Sequence, residues 1–506
     1  MTYILSVDAG TTATKVALFD TAGRIAANST VEYSLETPST LEVEVDAETL
    51  WTAFKRGVHE VITARIDPTD IKAIGISTQG ETLIPIDKEG NPTRRAIVWL
   101  DSRAVEEAKR LDEEFDAEQC YQITGQVKIV PTWPASKILW IKEHDPKTFA
   151  STWKFLLVED YLIYKMTGRC VAEGSLLCST TYWNIRTKKW WDEMLDYIGI
   201  TTDHLPEIRE SGEIVDTLSN PVAQELGLQK TTLVCTGALD QAAGAVGVGN
   251  VREGLFSENT GGALGICAPL DEFRNHPKAR MPIHYFVRPD TYMVHTFTTG
   301  GIVLRWFRDS FCQPEIQRAI DTNRDPYEVI IDQATKISPG SEGLTMLPHL
   351  QGAMAPESNP HARGVFYGFT LRHTKQHFVR AILEAIVCMV RRNIEALQDM
   401  NLHVNEIRAL GGGAKSKEWK QIEADFTKLP VVITDAEENE ACLGAAILAC
   451  KAADLFTSID DACAKMVRIK ERFMPNQKNF KTYDTLYSRY LQLYNELCVQ
   501  FERDTI

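Results

Sequence analysis

One pattern constrains the fold more than any other: two short apolar runs, Tyr3 to Val7 (YILSV) and Lys15 to Phe19 (KVALF), are separated by small polar residues, Asp8-Ala-Gly-Thr-Thr-Ala-Thr14. Runs of this length bounded by Gly and Thr read as two strands joined by a tight turn. Such a turn suits an anion. Gly10 lets the backbone approach closely, the exposed N–H groups and the Thr11 and Thr12 hydroxyls can donate to phosphate oxygens, and Lys15 adds positive charge. Asp8, at the end of the first strand, is placed to hold Mg²⁺ through water, because magnesium keeps several waters and takes one or two carboxylates. An ordinary Gly-containing hairpin with a surface lysine would use the same residues, so the octet alone leaves both readings open.

The rest of the chain alternates. A helix-like segment (Ala47 to Ala64) precedes a strand (Ile71 to Ser77), two short strands (Leu83 to Asp87, Ala96 to Trp99) and helical patterns at Ala104 to Phe115, Trp133 to Lys142 and Leu156 to Met166. Strands interleaved with helices mean an α/β protein. Near Thr232 an apolar strand, TLVCTGALD, runs into the Gly/Ala-rich segment Asp240 to Gly249, and we place the boundary between two lobes there, at 1–249 and 250–506. The second half restarts with a strand and small-residue turn, Leu255 to Cys267 (LFSENTGGALGIC), loosely echoing the first. A long helix (Thr374 to Met400), a strand (Glu406 to Leu410), the turn Gly411-Gly-Gly-Ala414, a helix (Ser416 to Lys428), a strand (Val431 to Thr434) and a small-residue helix beyond Ala441 follow. In the tail, Tyr483, Tyr487, Tyr490 and Tyr494 recur at helical spacing, a stripe suited to a core or a partner face.

Several classes are disfavoured. A formal charge of −15 over 506 residues, with no basic run, argues against a nucleic-acid partner. No apolar stretch approaches the roughly 18 residues of a membrane span, and the start MTYILSVDAG lacks a basic n-region, so the expected location is cytoplasmic with no membrane partner. The 11 cysteines include no CxxC pair and read as reduced core residues. His373 and His377 stand four apart, a spacing that suits a metal on a helix face, but no third ligand lies nearby.

Three small-residue turns, at 8–15, 257–262 and 411–414, have one common explanation: two lobes closing on one nucleotide. Thr260, Gly261 and Gly262 offer N–H groups and a hydroxyl to outer phosphates, and the triple glycine before a helix can turn backbone N–H groups towards an inner one. Asp240 is the candidate catalyst. It ends an apolar strand and precedes residues too small to fill space, which places it at a cleft, and phosphoryl transfer to an alcohol needs a carboxylate to orient the hydroxyl and accept its proton. A helix N-cap aspartate is the plainer alternative.

With these residues in view, the chain resembles the FGGY family of carbohydrate kinases from about residue 3 to about residue 455. Asp8 to Lys15 resemble the family's DxGTTxxK/R phosphate loop, and LDQAAGAVGVGN resembles the segment holding its catalytic aspartate, here Asp240. Pro134, Lys137 and Trp140 match one family signature, which departs at Thr132; Gly364, Gly368, His377, Ala381 and Glu384 match a second, which departs at Phe369. The resemblance implies two RNase H-like lobes of the actin/hexokinase/Hsp70 type around an ATP cleft, with ATP and Mg²⁺ as cofactors and a small-molecule sugar or polyol as partner. It also implies nucleotide contacts from Thr260 and Gly261, where Asn259 replaces the family's glycine, from Gly301, and on the adenosine side from Gly412, Gly413, Ala414 and Ser416. It reads His373 and His377 as ordinary positions at the signature helix. A homodimer is an open expectation.

The acceptor is to be read from residues 76 to 104, ISTQGETLIPIDKEGNPTRRAIVWLDSRA. Glycerol kinase has an Arg-Glu pair where this chain has Gly80-Glu81, which opens space for a larger acceptor. Gln79 and Glu81 supply acceptors and donors for several hydroxyls, and Gln241 lies beside Asp240 on the same side. Asp101 with Arg103 either closes the site or forms a structural ion pair, and Trp133 either packs on sugar C–H groups or belongs to the core. The expected activity is ATP-dependent phosphorylation of a small ketose or polyol, xylulokinase-like. The alternatives are a glycerol- or erythritol-type polyol kinase, an autoinducer-2-type kinase whose WFRD stretch resembles residues 306 to 309, and an actin-like ATPase switch that phosphorylates no sugar.

Overall fold

The computed structural model describes residues 1–62, 66–278, 281–436 and 438–503. The first half lays down β1 (Tyr3–Ala9), β2 (Ala13–Asp20), β3 (Ile25–Glu32), α1 (Ala47–Val61), β4 (Ile71–Thr78), α2 (Pro134–His144), β5 (Ile214–Thr217), β6 (Leu233–Cys235) and α3 (Asp240–Gly247). The second supplies β7 (Leu255–Thr260), β8 (Ala263–Leu270), β9 (Ile283–Tyr285), β10 (Tyr292–Thr299), α4 (Lys375–Gln398), β11 (Glu406–Leu410), α5 (Lys417–Thr427), β12 (Val431–Thr434), α6 (Glu440–Ala452), β13 (Ile469–Phe473) and α7 (Phe480–Arg503). Residues 63 and 64 of the helix expected to run to Ala64 lie outside the described residues.

Each half builds a seven-stranded mixed sheet. In the first, the antiparallel meander β3-β2-β1 continues through parallel β4 and β6 to the antiparallel edge β5, and the seventh strand, the two residues Ala238–Leu239, also pairs parallel with β4. In the second, β10-β8-β7 is the meander, β11 and β12 are the parallel strands and β13 is the edge, with β9 added beyond β10. The loose echo in the sequence is thus a repeated topology. The protein is a two-lobed α/β fold of the actin/hexokinase type.

The central strands are buried on both faces and read as nearly unbroken apolar runs, as parallel strands covered by helices do. α1 buries Leu50, Trp51, Phe54 and Val58 against the first sheet, and its start is capped by the Asp46 carboxylate accepting the Glu48 N–H. Between the sheets run α3 and α6. A Cβ on Gly444 would lie 1.8 Å from the Ala243 carbonyl oxygen, and one on Gly247 would lie 1.8 Å from that of Glu440, so the two helices touch backbone to backbone. α6 follows the second sheet in sequence yet also packs on β4 of the first, where Gly75 leaves room for the Ala445 carbonyl.

The tyrosine stripe of α7 is core: Tyr483, Tyr487, Tyr490 and Tyr494 are all buried, and the Tyr483 hydroxyl accepts from the buried Arg380 at 2.7 Å. His377 caps the start of α4, its Nδ1 accepting the Thr374 N–H at 3.0 Å, and His373 does the same for Thr370 at 2.9 Å. The strand expected to run unbroken from Thr232 to Asp240 is interrupted after Cys235 and resumes at Ala238–Leu239, also parallel to β4; at the break Gly237 meets β4 so closely that a Cβ there would lie 1.5 Å from the Ile76 oxygen. No helix among the described residues is long and apolar enough to cross a membrane.

Candidate active site

The β1–β2 hairpin sets Asp8 directly opposite Lys15. Its turn closes through Gly10 N–H to Ala13 O at 3.0 Å, and the amides of Thr11 and Thr12 take no acceptor among the described residues. The far side of the turn is fastened: the Gly10 oxygen accepts from the Tyr33 hydroxyl and, at 3.0 Å, from Gln79 Nε2. Lys15 Nζ reaches the second half of the chain, donating to Glu438 O at 2.8 Å. Burial raises the Asp8 carboxyl above its usual range, opposed by Lys15 and by the Ser77 hydroxyl, which donates to Asp8 Oδ1 at 3.1 Å; Glu440 adds like charge. A half-buried carboxylate among other carboxylates is a fitting place for a divalent cation held through water.

Asp240 is the first residue of α3, with Leu239 as its N-cap, so it projects from the first turn and is not itself the cap. The segment feeding it is held by buried side chains. Gly237 N–H donates to Glu159 Oε1 at 2.8 Å and Leu239 N–H donates to Ser175 Oγ at 2.9 Å, while Ser175 Oγ in turn donates to Glu173 at 2.6 Å. Burial first, then the charges of Asp8 and Glu81, push the Asp240 carboxyl up to about 7. Asp8, Glu81 and Asp240 therefore share one electrostatic environment.

Glu81 adopts a left-handed conformation, φ 45°, uncommon for a residue with a side chain. Burial raises its carboxyl too, and the cation opposing this is Lys137. Gln79 is almost wholly buried and committed at both ends, donating to Gly10 O and accepting from the Thr82 hydroxyl at 3.1 Å. Gln241 points across the cleft, its Oε1 lying 2.8 Å from where a Cβ on Gly265 of β8 would be. Asp101 is fully buried in an ion pair: its oxygens accept from the Arg103 guanidinium at 2.7–3.0 Å and from the Val43 N–H at 2.6 Å. Trp133 is the N-cap of α2, half-buried, with its indole N–H buried and unpartnered among the described residues.

Across the cleft the other turns converge. The β7–β8 turn closes through Gly261 N–H to Ala263 O at 2.9 Å, and Gly301 N–H donates to Gly261 O at 2.9 Å. Gly413 stacks on Thr260, where a Cβ would come within 2.6 Å of the Thr260 Cβ, and Gly412 and Ala414 belong to the same 3₁₀ turn. Ser416 caps α5, its Oγ accepting the Trp419 N–H at 3.2 Å. The Thr260 hydroxyl, expected to donate to phosphate, donates instead to Glu258, whose other oxygen accepts from the buried Lys420 at 2.5 Å; Lys420 also meets Glu423 at 2.6 Å.

Residues 3–247 match the N-terminal domain of the FGGY family of carbohydrate kinases and residues 269–453 its C-terminal domain. The chain belongs to that family. It is similar to a gluconokinase of Bacillus subtilis (31% identical, covering 97% of this chain and 95% of that one) and to a xylulose kinase of the same organism (29%, 98% and 97%). Its fold superposes on that of a ligand-bound xylulose kinase from Lactobacillus acidophilus with a TM-score of 0.89 at 26% identity, over 99% of this chain and 100% of that one. The protein is an ATP-dependent phosphotransferase acting on a small-molecule sugar or polyol.

In this FGGY kinase three side chains at the site carry no role from sequence reasoning. Trp99, in the AIVWLD run read only as a strand, donates its indole N–H to the Thr11 hydroxyl at 2.8 Å and so ties the acceptor region to the first turn. Lys137 entered only as a signature match. Glu258 had one usable signal, a charge inside an otherwise buried strand.

Proposed function

We propose that this FGGY kinase transfers the γ-phosphoryl group of ATP to a terminal hydroxyl of an uncharged ketose or polyol, with Asp240 as the general base. The observation that carries this reading is the carboxylate-rich floor of the cleft: Asp8, Glu81 and Asp240 interact electrostatically, and the cation facing Glu81 is the buried Lys137. Hydroxyl donors suit such a floor. An aldonate carboxylate would add another negative charge there and be disfavoured. Gly80 carries no side chain beside Glu81, which favours an acceptor larger than a three-carbon polyol.

In this reading residues 1–249 and 250–506 form the two lobes. The free amides of Thr11 and Thr12, with Lys15, hold the outer phosphates, Gly261 and Gly301 shape the facing wall, and Gly412, Gly413 and Ala414 line the adenosine side. The Thr260 hydroxyl supports the turn through Glu258, Ser416 caps its helix, and Asp101 acts through Arg103, none of them through direct donation to a ligand. Mg²⁺, held by Asp8 through water, would neutralise phosphate charge. Asp240, whose carboxyl is poised near neutrality, orients the acceptor hydroxyl and takes its proton, while Glu81 and Gln241 accept and donate to the remaining hydroxyls. Closure of the lobes excludes water as a competing acceptor.

The test is Asp240→Asn. Phosphorylation of the acceptor is expected to fall by about 10²–10⁴-fold, the range for loss of a general base, with ATP affinity nearly unchanged. Normal turnover in the variant would refute the assignment.

A further inference from the structure

Lys137 lies on α2, has no exposed surface, and meets no carboxylate within ion-pair distance among the described residues. Its ammonium donates instead to two backbone oxygens, Glu81 O and Val98 O, each at 2.9 Å. These belong to two segments joined by the antiparallel Leu83–Ile97 bridge, and both lie just outside that pairing; the Val98 oxygen also accepts the Asp101 N–H at 2.9 Å, whereas the Glu81 oxygen takes no backbone donor among the described residues. One is the 79–82 strip, which turns through the left-handed Glu81; the other leads into Trp99. The segments are joined again one residue on, where Trp99 N–H donates to the Thr82 hydroxyl at 3.1 Å.

We propose that Lys137 is a positioning residue for the acceptor subsite, its ammonium pinning the Glu81 and Val98 carbonyls so that Glu81 stays in its left-handed conformation with the carboxylate facing the cleft. A buried ammonium needs compensating partners, and the two carbonyls with the nearby Glu81 charge supply them. The left-handed backbone at Glu81 is strained and persists only where its surroundings hold it. Lys137 is the one side chain that bonds the Glu81 carbonyl among the described residues. Burial lowers the affinity of Lys137 for its proton while the charges of Glu81 and Asp101 restore it, so lysine and glutamate support each other's charged forms.

This inference rests on Glu81 as an acceptor contact, and a double-mutant cycle separates the two. Steady-state kinetics would be measured on the full-length protein with MgATP and its best neutral acceptor for wild type, Glu81→Gln, Lys137→Met and the double variant. Lys137→Met is expected to raise the acceptor KM by on the order of 10²-fold, the scale of a misplaced contact group, and to leave the ATP KM within about twofold. The double variant should be scarcely worse than Glu81→Gln alone, because both changes remove one interaction. Additive losses, or equal rises in both KM values, would overturn the positioning role. An unchanged acceptor KM in Glu81→Gln would instead refute Glu81 as the contact. Should Lys137→Met fail to fold, Lys137→Gln, whose amide keeps a donor for the carbonyls but not the charge, takes its place with a smaller rise in the acceptor KM expected, and the same ATP-KM and additivity outcomes decide.

Discussion

Asp240, the proposed general base, is a carboxyl whose proton affinity is set by its surroundings. Burial, Asp8 and Glu81 lift it to about 7, so the base form grows in as pH rises through neutrality, and kcat/KM for the acceptor is expected to climb with a limb near 7. Replacing Asp8 with Asn removes one of the raising charges and should move that limb down. The same shift has a cost in stability. Between the ordinary value of 3.8 and about 7 the folded chain keeps a proton that the unfolded chain has released, so this contribution to stability falls as pH rises across that window and stays lost above it. Asp240→Asn should therefore raise Tm at pH 8 more than at pH 5, by ~2–4 °C for each 1 kcal/mol recovered; an equal Tm change at both would contradict the assigned burial. Asp8 and Asp240 stood out as candidates in the sequence because each ends an apolar run beside small residues, whereas Glu81, behind the polar strip 77–80, stood out only through the family resemblance. Lys137 and Glu258 did not, since their partners Glu81 and Lys420 are distant in sequence and only the fold joins them.

At the scale of elements, the seam between α3 and α6 and the buried acid–lysine cluster under α5 are the least tolerant parts of the frame. Gly444→Ala places a methyl where the Ala243 oxygen stands and should cost about 1–3 kcal/mol, read as a lower Tm. Lys420→Met leaves Glu258 and Glu423 buried without their cation and should destabilise by about 3–5 kcal/mol, read by denaturant melting. Wild-type stability in either variant would show that the contact is slack. Strands β11 and β12 were legible to the residue because they are short, buried and bounded by turns. β3 was not, because it is largely exposed and its IAANSTVE run has neither an apolar core nor clean alternation. The helix read from Leu156 starts at Val158, since Leu156 pairs with Ile84 in a short strand that no local pattern announces.

At the scale of the whole molecule, two sheets of one topology face each other across the α3–α6 seam, and the hairpin turn of each lobe meets the cleft. In the proposed mechanism a nucleotide held between such turns would bring its terminal phosphate towards Asp240 as the lobes approach, which would link transfer to acceptor binding. An actin-like switch would share the frame without that dependence. The most direct measurement is ADP release from MgATP with no acceptor and with D-xylulose, ribulose, erythritol, glycerol and gluconate, for wild type and Asp240→Asn. Release is expected to depend on the acceptor, fastest with a neutral ketose or polyol and near the blank with gluconate, and to be about 10²–10⁴-fold slower in the variant. Release that is independent of any acceptor, or fastest with gluconate, would contradict it.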